Sequence, residues 1–184
     1  AYDPAYAGEM AVIIDRGMRE MLVEEKDVFY YVTLMNENYA QPDLPAGAED
    51  GVIRGGYRLA AYGSGAPRVT LAGSGAILTE VVKAAELLAA DGIASDVLSI
   101  TSWSELARDG AYTLQLLAGD GPIIAASDYV RAVPESIRQH VPAGRRYTTL
   151  GTDGFGRSDT RAALRQFFGV DAASIARAAR ESLR

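Results

Sequence analysis

The chain has 184 residues, 48% hydrophobic and 23% charged, enough to bury one core and at most part of a second. Its net charge of −6 argues against nucleic acid as the main partner, because phosphate contacts need clustered Lys and Arg. The absence of cysteine excludes disulfides, thiol nucleophiles and thiolate-bound zinc.

No apolar run is long enough for a membrane span, and the opening AYDPAYAGEM has no basic n-region, so it does not read as a signal peptide. A reducing, cytoplasmic setting is expected, with no membrane partner. In the opening segment, Met10, Ile13, Ile14, Met18, Met21 and Leu22 recur at helical spacing, with Glu9, Asp15, Arg16, Arg19 and Glu20 between them. Asp3-Pro4 reads as the helix start. VFYYVTLMN, residues 28–36, is β-branched, aromatic and almost unbroken, which predicts a strand covered on both faces. One helix and one such strand cannot bury each other, so the segment expects a sheet from elsewhere. Residues 40–56 hold two prolines and four glycines and read as a linker at a domain boundary.

Beyond residue 56 strands and helices alternate. YRLAAY is an edge strand, and RVTLAGSG a buried strand running into a glycine turn. AILTEVVKAAELLAADG is the clearest helix. Ile77, Leu78, Val81, Val82, Ala85 and Leu88 form its buried stripe, Thr79, Glu80, Lys83 and Glu86 its wet face, and Gly92 suits its C-cap. SDVLSITS, PIIAASDYV and RYTTLGTDGFG read as strands, SWSELARDG and AVPESIRQHV as helices, and two more helices start near Asp159 and Asp171. The fold class is therefore α/β, a mostly parallel sheet with helices on both faces.

Four motifs raise the question of chemistry. AGSG, residues 72–75, between strand and helix, could cradle a phosphate, but G-x-G-x-x-G is incomplete because Leu78 takes the last position; a structural turn is favoured, and Asp96 does not change that. GDG, residues 119–121, resembles the start of a thiamine diphosphate/magnesium motif, yet no Asn follows Asn38 to supply the second ligand, so it reads as a turn. His140, the only histidine, ends a polar helix where a cation suits the dipole, which is favoured over a triad role. NENY, residues 36–39, either faces a ligand crevice at a strand's carboxyl end or caps a strand leaving the sheet.

GTDGFGRSDTR, residues 151–161, offers Ser158 or Asp159 as a helix N-cap, while Gly154 and Gly156 permit positive φ. Arg157 and Arg161 are expected to pair with Asp153 and Asp159 or with an outside carboxylate. A tight loop with a cap explains the glycines and one Asp but neither both arginines nor Phe155.

AYDPAYAGEMAVII, FYYVTLMNENYAQP, TLAGSGAIL, SDVLSITSWSELARDG and YTTLGTDGFGRSDTRAALRQFFGVDA stand here in one order. In that order the chain resembles the C-terminal part of the bacterial homodimeric pyruvate dehydrogenases, the decarboxylating component of the pyruvate dehydrogenase complex. The resemblance covers nearly the whole chain, and TDGFGRSDTR is its specific motif. It implies that residues 1–39 are the last helix and strand of a pyrimidine-binding domain, 40–56 a linker, and 57–184 a transketolase C-terminal-like domain. The complete enzymes decarboxylate pyruvate on thiamine diphosphate and magnesium, then reductively acetylate a lipoyl group.

The diphosphate/magnesium domain and the Glu that activates the cofactor lie outside this sequence. Some members have His after NENY, where this chain has Ala40; the segment after ELARDG is shorter here, and the family's tail beyond the last helix is missing. The chain is thus expected to be a trimmed portion of a larger enzyme, with no catalytic, cofactor-binding or metal residues of its own. Asn36, Glu37, Asn38, Tyr39, Asp153, Phe155, Arg157, Asp159 and Arg161 are expected to border the active site or an interface. Expected partners are the remaining domains, the second subunit and the lipoyl-bearing acetyltransferase. The rival reading is an independent binding or assembly module using AGSG or TDGFGRSDTR.

Overall fold

The computed structural model describes residues 1–66 and 68–184. Five strands form one sheet: β1 (Gly56–Tyr62), β2 (Arg68–Gly73), β3 (Ala94–Ile100), β4 (Ile123–Ala126) and β5 (Tyr147–Leu150), in the order β1-β3-β2-β4-β5. β2, β3, β4 and β5 run parallel, and only the edge strand β1 is antiparallel, against β3. The expected fold class is the one observed.

The sheet is covered on both faces. Val69, Leu71, Val97, Ile124 and Ala126 point to one side, where they meet helix α3 (Ile77–Ala90) and the last helix, α8 (Ala172–Ser182). Ala72, Leu98, Ile100, Ile123 and Ala125 point to the other, against Trp103 and Leu106 of α4 (Trp103–Arg108), Leu117 just past α5 (Gly110–Leu116), and Ile137. Period-2 alternation of apolar side chains on both faces marks a sheet buried between two layers. α4 starts on Ser102, whose hydroxyl accepts the Glu105 N–H, and α8 on Asp171, which accepts that of Ser174. The polar stretch expected as one helix near His140 divides into α6 (Ala132–Glu135) and a 3₁₀ turn, Arg138–His140. There His140 Nε2 lies 3.1 Å from the Ala107 carbonyl, in a helix–helix contact rather than a triad.

The opening segment departs most from expectation. Its helix, α1 (Ala7–Met18), begins after Tyr6 rather than at Asp3-Pro4, and ends in a π turn, Arg19–Val23. Ile13 is fully buried, but Ile14, Met18, Met21 and Leu22 are exposed, so the apolar stripe is half uncovered. Glu9, placed by periodicity on the polar side, is fully buried. Its Oε2 accepts the Ala5 and Tyr6 N–H groups at 2.6 and 3.1 Å, and its Oε1 accepts the hydroxyls of Tyr57 and Ser99. Four donors replace the water a buried carboxylate loses.

Residues 28–36 do not form a strand; a single parallel bridge joins Val32 to Tyr2, and Phe29, Tyr31 and Leu34 face solvent. β-propensity needs a neighbouring ladder, and among the described residues the ladder bonds offered to this segment are two, Tyr2 N–H to Tyr31 O and Thr33 N–H to Tyr2 O. The stretch read as a linker carries a helix, α2 (Glu49–Arg54), closed by Gly55 at φ +106°. Its Val52 packs with Ile13 and Tyr57 in a third core that joins the opening segment to the sheet.

Candidate functional site

The sheet changes winding direction between β2 and β4: α3 carries the chain from β2 to β3 on one side, and the following crossover returns it to β4 on the other. Open α/β sheets place their crevice at such a point, beyond the strands' carboxyl ends. Here that crevice is filled from within. A Cβ on Gly75 would meet the Asp3 carboxylate oxygens at 2.7 and 2.8 Å, and the Gly75 N–H donates to the Asp3 carbonyl. Thr33 donates to Asp3 Oδ1 at 2.7 Å, and Tyr129, beyond β4, donates to Thr33. Trp103 Nε1–H donates to Ser74. Burial pushes the Asp3 carboxyl above its ordinary value; the Thr33 and Ser74 hydroxyls oppose this, and Asp128 adds to it. AGSG is thus a turn already holding a carboxylate.

That chemistry does not fit a diphosphate, whose charge would meet Asp3. Among the described residues, no cluster of three or more His, Cys, Asp or Glu side chains could hold a metal ion. GDG is a turn, with Gly119 and Gly121 at positive φ and the Asp120 carbonyl accepting from Arg145.

The second assembly lies beside the crevice, where NENY meets the end of GTDGFGRSDTR and the helix after it, α7 (Arg161–Phe168). Arg165 makes a two-point contact with Glu37: Nη2 to Oε2 at 2.5 Å and Nη1 to Oε1 at 3.2 Å. Nη1 also reaches Oε1 of Glu80 on α3 at 3.3 Å. The Arg165 and Glu80 side chains are each 11% exposed, and that of Glu37 is 19% exposed. Glu80 further takes the Ala172 N–H at 3.1 Å, at the start of α8, and the Lys83 ammonium at 2.8 Å. Its place on the wet face of α3 is therefore corrected. One turn before Arg165, Arg161 donates to the Asn36 carbonyl and approaches Glu37 at 3.9 Å.

The other sequence-picked residues are distributed around this assembly. Asn38 is exposed and lines the same groove. Tyr39 donates to the Ala5 carbonyl at 2.5 Å, its ring edge-on to Tyr6. Asp153 pairs with Arg131, not with a loop arginine, through the Arg131 N–H at 2.8 Å and Nε at 2.5 Å; those bonds hold its carboxyl below the usual value. Arg157 lies 4.8 Å above the Phe167 ring. Asp159 accepts the Thr160 N–H at 2.7 Å, and Thr160, rather than Ser158 or Asp159, caps α7. Phe155 is 96% exposed. The pairing expected within the loop is thus not made: its charges reach outward to α6's approach, to Asn36 and Glu37, and to Phe167.

Sequence reading missed Arg165, Glu80, Arg131, Asp3 and Thr33. For Arg165 there was a signal, the four-residue spacing from Arg161 that puts both guanidiniums on one helix face.

Residues 55–171 match the model of the transketolase-like TK C-terminal domain, well over half of the chain. The chain belongs to that family. Residues 1–42 match the model of the pyruvate dehydrogenase E1 component middle domain. Among curated proteins, the chain is 48% identical to a pyruvate dehydrogenase E1 component of Pseudomonas aeruginosa, with 99% of the chain and 23% of that protein covered. It is 46% identical to that of Cupriavidus necator, covering 100% and 23%, and 45% identical to that of Escherichia coli K12, covering 97% and 22%. The chain thus spans under a quarter of the length of these relatives. Among solved structures it is similar to a Pichia stipitis transketolase in complex with sedoheptulose 7-phosphate, at TM-score 0.71 and 19% identity, covering 99% of the chain and 25% of that one. A split-gene transketolase, an inactive beta4 tetramer, aligns at TM-score 0.62 and 16% identity, covering 99% and 56%. These two likenesses concern the fold. No comparison supports the independent-module reading.

Proposed function

We propose that the chain serves as the C-terminal part of a thiamine diphosphate- and magnesium-dependent pyruvate dehydrogenase. That enzyme decarboxylates pyruvate and reductively acetylates the lipoyl group of a cytoplasmic acetyltransferase partner. The observation that carries this reading is 48% identity, over 99% of the chain, to a pyruvate dehydrogenase E1 component. Residues 1–39 belong to the pyrimidine-binding domain, 40–56 connect it, and 57–184 form the C-terminal domain. The uncovered apolar side chains of α1 and residues 28–36 then face the rest of the pyrimidine-binding domain, because exposed Phe29, Leu22 and Val23 need a cover.

Within that enzyme the chain shapes rather than reacts. Residues 36–39 and loop 151–161 stand beyond the strands' carboxyl ends and border the active-site mouth, while Phe155 docks on the second subunit. The cofactor supplies the carbanion chemistry when bound to the other domains. The test is a chimera in which this chain replaces the matching quarter of the Pseudomonas aeruginosa relative. Thiamine-dependent pyruvate decarboxylation and lipoyl acetylation are expected. A chimera that assembles and binds thiamine diphosphate without decarboxylating pyruvate would overturn the reading, and so would failure to assemble.

A further inference from the structure

We infer that Arg165 is a positioning residue: it fixes Glu37, and with it Asn36–Tyr39, against the frame made by α3 and α8. The inference rests on the proposed place of residues 36–39 at the active-site border; its geometry is independent of that reading. Residues 36–39 have no regular structure, and in this stretch the sole backbone bond is a tight one, from the Glu37 N–H to the Met35 carbonyl. Something other than a ladder must hold them. The holds among the described residues are Tyr39 on Ala5, Gln41 on the Tyr39 carbonyl, Arg161 on Asn36 and, at 3.9 Å, on Glu37, and Arg165 on Glu37.

Of these, the Arg165 contact alone reaches across three elements. Its guanidinium lies between two carboxylates, with Glu37 on the irregular segment and Glu80 on α3. Glu80 is itself fixed by the first N–H of α8. A planar fork holds a carboxylate at a set angle and still has a donor for a second one; an ammonium can reach two carboxylates but, as a point charge, sets the angle of neither. Most of this contact is shielded from water, where truncating one partner leaves an uncompensated charge. α7 also begins where loop 151–160 ends, so the arginines that grip residues 36 and 37 are anchored to that loop's downstream end.

The test uses ¹⁵N relaxation on the chain, reading the backbone order of residues 36–39 against that of β2 and α3. Arg165→Gln and Glu37→Gln are expected to lower the order at 36–39 while leaving β2 unchanged. Arg165→Lys is expected not to rescue it. Glu80→Gln is expected to loosen 36–39 as well, although Glu80 does not touch them, which a merely local ion pair would not produce. Unchanged order at 36–39 in Glu37→Gln, or full rescue by Arg165→Lys, overturns the inference. Should Arg165→Gln unfold, Glu37→Gln and Glu80→Gln, which keep the guanidinium, decide it. An inactive chimera would count against the proposed function and leave this result standing.

Discussion

The Asp3 carboxylate occupies the space a side chain on Gly75 would need: a Cβ there would lie 2.7 Å from Oδ2. Gly75 also sits at φ +52°, a left-handed conformation that costs an L side chain roughly 1–2 kcal/mol. Gly75→Ala is therefore expected to destabilise the chain by about 2–4 kcal/mol once the displaced carboxylate is included. In an Asp3→Ala background the cost should shrink toward the conformational part alone. Urea unfolding of the four variants measures the coupling; additive effects would mean that the two residues do not share the site.

The same carboxylate predicts a pH dependence of defined sign. Burial raises its folded pKa above the ordinary 3.8, so folding favours the protonated form. The stability that follows is fully present below pH 3.8 and is lost as pH rises through the folded value. Asp3→Asn, which resembles the protonated group and can still accept from Thr33, should exceed the unaltered chain in Tm at pH 7. The difference should close at pH 3. A deficit at pH 7 would mean that the charged form is the one the crevice holds.

Hydrogen exchange should separate the two parts of the chain. Residues 28–36 donate and accept few backbone bonds, whereas residues 68–73 lie between two parallel strands. Exchange in 28–36 is expected to proceed near the unprotected rate and in 68–73 near the rate of global unfolding. Equal protection in a monomer would show that residues 28–36 have found a ladder elsewhere.

Phe155 and Leu78 make a contrasting pair. Leu78 is fully buried against the sheet, and Leu78→Ala should cost about 2–5 kcal/mol. Phe155 is 96% exposed, and Phe155→Ser should leave stability within about 0.5 kcal/mol. In the chimera the order should reverse for association, Phe155→Ser weakening the dimer in sedimentation. Unimpaired dimerisation would remove Phe155 from the interface.

Cofactor affinity gives a direct check on the chain by itself. The Asp3-filled turn and the absence of a metal-ligating cluster among the described residues predict no calorimetric signal with thiamine diphosphate and magnesium. Micromolar binding would require a site that neither turn supplies.

The fold was legible wherever burial follows local period. α3, the parallel strands and their two-sided cover could be read because their apolar residues recur at 3.6 or 2.0. The same rule misplaced Glu9 and Glu80. Both occupy polar positions of a helix, yet their partners Ser99 and Arg165 lie 90 and 85 residues away. Residues 28–36 failed for the opposite reason, since a strand-like composition without a neighbour makes no strand. α2 was hidden because Gly51 and Gly55 punctuate it, the second as its cap. At the site, NENY and TDGFGRSDTR could be singled out, but which charge meets which depended on distant elements.

The burial of Glu9 has a consequence for how the protein is made. Ser99, one of its four donors, is translated 90 residues later. At roughly 5–20 residues per second on the ribosome, the acid waits roughly 5–20 s for that hydroxyl. Until then α1 lacks its seat on β1 and β3, and its apolar side chains are open to whatever is near the exit tunnel. Within these residues the opening helix thus emerges well before it can lock, which makes it the natural place for a chaperone or a protease to intervene.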